Sequence, residues 1–143
     1  MTKSAKSSFS AHSLLAGARE FASGLSTLAR HPEGGSARAM AVLAAHAVEL
    51  ALKSSLLSHG WSESQLRELD HDLIKAWRAA AAAGLPVNTE PPSWCRLLDS
   101  VHDSPYFGRY PPANSGLVTP NAAEMEAQVT DLIALVGSRG HAA

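Results

Sequence analysis

Apolar residues recur at helical spacing over most of the chain. Leu14, Leu15, Ala18, Phe21, Ala22, Leu25, Leu28 and Ala29 make one stripe after Ser10, a residue type that caps helix starts. Pro32 removes a backbone donor and turns His31 away from helical geometry, and Gly34 and Gly35 then permit a reversal into a second helix. Residues 36–58 carry Met40, Val42, Leu43, Ala47, Val48, Leu50, Leu52, Leu56 and Leu57, apolar around much of the circumference. A helix of that kind belongs in the middle of a bundle. His59-Gly60 is a stop signal.

Ser62 with Gln65 forms a capping-box pattern for a short helix through Leu69, and Asp70 is placed to cap the next one, with Leu73, Ile74 and Trp77, ending at Gly84. Pro91 and Pro92 suit the first positions of a segment holding Trp94, Leu97, Leu98 and Val101. Residues 104–119 hold too many prolines and glycines for a regular element and read as an ordered loop bearing Tyr106, Phe107 and Tyr110. Thr119-Pro120, or Asn121 with Glu124, opens a last helix striped by Met125, Val129, Leu132, Ile133 and Val136, closed by Gly137. The expected organisation is a flexible tail over 1–9, one helical domain over 10–137 and a second tail over 138–143.

Composition narrows this reading. Alanine fills 26 of 143 positions while Val, Ile and Thr together fill 14, which favours an all-α fold. A formal charge of -1 leaves no global field to draw the chain onto phosphate backbones or anionic lipid. The single cysteine, Cys95, forms no internal disulfide and no thiolate metal cage, and beside Trp94 it reads as a small core residue. No secretory leader is expected at the N-terminus, and no window is expected to approach the ~18 apolar residues of a membrane span, so the expected setting is cytoplasmic.

The candidate chemistry lies on the greasy second helix. His46, Glu49 and Lys53 share one narrow stripe, and burying them without partners would cost several kcal/mol apiece. Candidate partners are His71 and Asp72 near the next helix start, and Arg109 and Tyr110 on the proline-rich loop. Two readings follow: a structural network in which Glu49 meets Lys53 and Arg109 and pins the loop, or a pocket for a small anionic or nucleotide ligand. Seven histidines show no two-His helical spacing of the zinc-protease kind, so neither metal nor cofactor is expected. The three tryptophans, with no basic run between them, read as core or interface anchors.

The segment Ala45-His46-Ala47-Val48-Glu49-Leu50-Ala51-Leu52-Lys53, the turn at Gly60, His71-Asp72-Leu73-Ile74-Lys75 and the small-residue helix to Gly84 together resemble a HEPN (higher eukaryotes and prokaryotes nucleotide-binding) domain. Phe107-Gly108-Arg109-Tyr110-Pro111 is similar to an aromatic-Arg-Tyr-Pro motif of some bacterial members. The resemblance implies an antiparallel bundle of four to five helices, often a homodimer, with RNA, a nucleotide or a partner protein as binding partners. Many HEPN proteins are metal-independent endoribonucleases of toxin or defence systems, marked by Arg and His separated by four to six residues. Arg96 and His102 match that spacing, though Leu97 stands where a polar residue is common, and chance alone supplies about one such pair in a chain of this composition. In that role His102 would be the general base for a ribose 2'-hydroxyl and Arg96 would stabilise the phosphorane charge. The leading expectation is a non-catalytic, dimeric binding or accessory module.

Overall fold

The computed structural model describes residues 8–31, 37–103, 106 and 118–140. Among them six helices form an all-α bundle with no strand: α1 (Ala11–Ala29), α2 (Ala37–Ser58), α3 (Glu63–Glu68), α4 (Leu73–Ala83), α5 (Ser93–His102) and α6 (Ala122–Gly140). The capping signals explain most of the starts. The Ser10 and Ser62 hydroxyls accept from the backbone N–H of Ser13 and Gln65, whose side chains return the bond in both capping boxes. Asn121 Oδ1 likewise accepts from the Glu124 N–H at 2.8 Å.

α2 is the central element. α1 and α6 pack on it and on each other, α4 and α5 do the same from another direction, and α3 touches it as well. Its small residues make this possible: Ala41, Ala44, Ala45, Ala47 and Ala51 have no exposed surface, and so no side chain holds the neighbouring helices off. α1 runs antiparallel to α2. The Ser54 hydroxyl donates to the Ala11 carbonyl at 2.7 Å, Gly17 faces Leu50, and Gly24 faces Leu43. One apolar core draws on all six helices, from Leu25 and Leu52 through Leu66 and Leu73 to Leu98 and Met125.

Three expectations change in detail. Asp72, not Asp70, caps α4, accepting from the Lys75 N–H at 2.9 Å, and Asp70 instead turns the chain at φ 50°. Asp99 Oδ1 on α5 accepts from the Leu73 N–H at 2.9 Å, so a tertiary bond decides between two residues of equal local capping preference. Pro92 is the cap of α5 and not its first helical residue. Gly137 lies inside α6, which runs to Gly140, and at Gly137 a Cβ would stand 2.9 Å from Arg19 Nη2 and 3.7 Å from Leu15 Cδ2, which marks a close approach of α1.

By length and composition α2 would also suffice to cross a membrane, with a mean hydropathy of 1.4 where no such window was expected. Two thirds of that window (67%) is buried in the bundle, which accounts for its apolar character. Ser8 and Phe9 lie against α3, their backbone N–H groups donating to Glu63 Oε1. Among the described residues Val118 is the one large hydrophobic side chain left exposed, so they present no broad apolar face.

Two glycines test this packing. Gly24→Ala adds a Cβ in ordinary contact with Leu43 Cδ1 at 3.4 Å, and should raise the unfolding free energy by about 0.5 to 1 kcal/mol through helix propensity. Gly84→Ala should lower it by about 1 kcal/mol, because the α4 C-cap sits at φ 121°. Urea midpoints of the two variants should therefore move in opposite directions.

Candidate functional site

Glu49 projects from the middle of α2 with 7% of its surface exposed. Its two oxygens meet different partners. Oε2 takes the Lys53 ammonium at 3.2 Å, one turn further along α2. Oε1 takes two imidazoles, His71 through Nδ1 at 2.9 Å and His102 through Nε2 at 2.7 Å. Lys53 Nζ also donates to the Asp70 carbonyl at 2.7 Å, which ties α2 to the turn before α4. Three separate stretches of chain thus converge on one carboxylate.

Burial would push the Glu49 carboxyl up from its usual 4.5. The His102 hydrogen bond, the Lys53 charge, the His71 hydrogen bond and the His102 charge together outweigh that and bring it down to about 2. An ionised carboxylate only accepts, so both histidines donate to it. Neutral His102 then has its lone pair on Nδ1 and neutral His71 on Nε2, the latter 3.6 Å from Asp70 Oδ1.

The cluster is closed on one side and open on the other. The His102 side chain is 7% exposed and that of His71 is 38% exposed. Beside them lies a cleft of about 140 Å³ walled by Val42, Ala45, His46, His71, Val101, His102 and Tyr106. His46 stacks on Phe21 of α1 with centroids 5.2 Å apart and meets the His102 ring edge-on at 4.7 Å. Tyr106 stands edge-on to His71 at 6.2 Å, held on a backbone at φ 63° that bulky residues rarely adopt.

Of the candidates, His46, Glu49, Lys53, His71 and His102 come together here. Asp72 does not join Glu49. It lies with Asp99 and Asp103 at the junction of α4 and α5, their carboxylate oxygens within 4.8 Å of one another. Burial pushes the Asp99 carboxyl up, and Asp72 and Asp103 push the same way against the opposing Leu73 hydrogen bond and His102. Arg109 and Tyr110 lie outside the described residues, as does most of the proline-rich loop.

Arg96 is half-exposed at the start of α5. It donates to Glu90 at 2.9 Å and to the Pro91 carbonyl at 3.2 Å. α5 is continuous from Ser93 to His102, so a step of six residues from Arg96 to His102 sets the two side chains about 120° apart. Cys95 is fully buried, and burial, with Asp99 next, pushes its thiol up to about 12, so it is no nucleophile. Trp77 and Trp94 are core residues packed edge-on at 5.7 Å.

The sequence reading missed the contact between His102 and Glu49. The two residues are far apart in the chain and no spacing rule joins them, although the apolar face of α5 placed His102 close to the core. Comparison with family models, with curated proteins and with solved structures finds no match to this chain, so geometry carries the functional reading.

The Glu49 pKa is lowered on folding, so the stability it contributes is present above pH 4.5 and is lost as pH falls through about 2. Glu49→Gln should lower the unfolding free energy at neutral pH by on the order of 3 kcal/mol. Urea titrations of parent and variant should show this gap closing across that acid window. A gap of equal size at neutral pH and near pH 2 would remove the ionised carboxylate from the account.

Proposed function

We propose that this chain is a HEPN-like binding module whose Glu49-centred cleft receives a small anionic group, such as the phosphate of a nucleotide. The observation that carries the reading is the open edge of the cluster. A network serving architecture alone has no need of a solvent-reached wall with three imidazoles and a tyrosine on it. With one N–H of each ring on Glu49, His71 or His102 donates to a phosphate oxygen from its second nitrogen only in the doubly protonated form, and flat aromatic faces suit a base. The volume is well below the several hundred Å³ of an ordinary ligand pocket, which favours a compact group over a whole dinucleotide. Glu49 and Lys53 neutralise each other, so their pair does not repel the anion. Dimerisation is part of the proposal on the resemblance alone.

One observation favours a second reading, endoribonuclease activity. An ionised carboxylate that fixes the tautomer of a cleft histidine is the arrangement a general base requires, and His102 has it. Arg96 would reach the same substrate only from a second copy of the chain, given its place on α5.

Binding is read by thermal denaturation with a chelator present. Millimolar inorganic phosphate or nucleoside monophosphates should raise Tm by several degrees, as saturation at about 100 Kd stabilises by about 2.7 kcal/mol. Val42→Phe, which fills the cleft from a partly exposed wall position, should abolish that shift and leave the helical signal intact. A parent protein whose Tm none of these compounds moves does not bind them, and RNA left intact by the parent disposes of the nuclease reading.

A further inference from the structure

Glu49, His71 and His102 place three metal-ligating atoms within 4.8 Å of one another. Two imidazoles and one carboxylate form the donor set of catalytic zinc sites, in which a fourth position stays open. We propose that Glu49 Oε1, His71 Nδ1 and His102 Nε2 bind a divalent transition metal, zinc above all, with its open position facing the cleft.

The donors have nearly the required separations. Oε1 stands 2.9 Å from His71 Nδ1 and 2.7 Å from His102 Nε2. Bonds of 2.0 to 2.2 Å at tetrahedral angles set donors about 3.4 Å apart, so the three side chains need to open by roughly half an ångström. Lys53 engages Oε2, which leaves Oε1 as the single oxygen Glu49 offers. To ligate, each imidazole must present a lone pair where it now presents N–H, and the ring proton moves to the opposite nitrogen. For His71 that nitrogen is Nε2, and Asp70 Oδ1 waits 3.6 Å away to accept from it. A carboxylate behind a ligating histidine is the usual outer support of such centres.

Asp70 holds this place on a left-handed backbone, φ 50°, and Lys53 anchors its carbonyl. The cleft of about 140 Å³ gives room for a water or an anion on the metal, and its other walls include His46 and Tyr106. Imidazole with carboxylate suits zinc and its first-row neighbours better than magnesium or calcium, which prefer all-oxygen shells.

The site does not depend on the anion reading. Metal uptake is measured without phosphate and phosphate binding with chelator, so either can fail alone. Chelator-treated protein is titrated with Zn²⁺ by calorimetry and with Co²⁺ by visible absorption. The parent should take up one Zn²⁺ per chain with micromolar or tighter affinity and give the d–d bands of low-coordinate Co²⁺. His71→Ala, at a half-exposed ring whose loss leaves the core intact, should weaken Zn²⁺ binding at least a hundredfold. Asp70→Asn should weaken it about tenfold, as loss of an outer partner does. Glu49→Gln and His102→Asn should remove the Co²⁺ bands, with far-ultraviolet circular dichroism confirming the fold. Absence of uptake by the parent at 0.1 mM Zn²⁺ overturns the proposal. So does undiminished uptake by a folded His71→Ala, which would place the metal elsewhere, for example at Asp72, Asp99 and Asp103.

Discussion

A carboxylate in the middle of an otherwise apolar helix is the constraint around which this bundle is arranged. Unpaired, a buried Glu49 would cost several kcal/mol or take up a proton. The chain keeps it ionised by bringing Lys53, His71 and His102 to it. Those partners sit on α2, on the turn before α4 and at the end of α5, so the three segments can satisfy the carboxylate only in one mutual arrangement. Apolar packing alone tolerates sliding of helices by a turn; this cluster does not, because a shifted α5 would leave Oε1 without His102. Such an interaction adds less to net stability than its short distances suggest, and more to the choice of one packing over its neighbours.

The same reasoning explains which features were legible in the sequence. α2 was readable as the central helix because apolar residues cover most of its circumference, and every other helix among the described residues packs against it. Glu49 with Lys53 was readable because a turn of helix brings i and i+4 together whatever surrounds them. His71 was within reach of inspection as a polar residue at a helix start. His102 was singled out for a different reason, its spacing from Arg96, and the structure gives it another partner. The choice between Asp70 and Asp72 as cap, and the run of α6 past Gly137, were beyond local rules. At the first, Asp99 on another helix accepts from the Leu73 N–H; at the second, the close approach of α1 gives Gly137 a packing reason in place of a stop. Tertiary contact decides where two positions have similar propensity, as at Asp70 and Asp72.

Backbone strain falls on the rim of the cleft. Asp70 and Tyr106, the two non-glycine residues with positive φ among those described, lie on either side of His71. Asp tolerates that conformation through its short polar side chain; Tyr does so only when its surroundings hold it. The rim is therefore over-determined, by Lys53 at the Asp70 carbonyl and by the ring contact between Tyr106 and His71.

Architecture and binding are then not rival accounts of these residues. Orienting a histidine for a ligand requires a fixed acceptor behind it, and a buried ionised carboxylate is the firmest acceptor a helical bundle offers. Placing that acceptor on the helix in contact with all the others fixes it against the whole core, so the proposed ligand or ion would require little reorganisation on binding. Small side chains complete the arrangement. Ala45 lines the cleft, and Ala41, Ala44, Ala47 and Ala51 elsewhere on α2 are likewise without exposed surface, so the neighbouring helices approach closely enough for His71 and His102 to reach Glu49. A bulkier α2 would hold α4 and α5 further out, and Glu49 would lose the histidines that keep it charged.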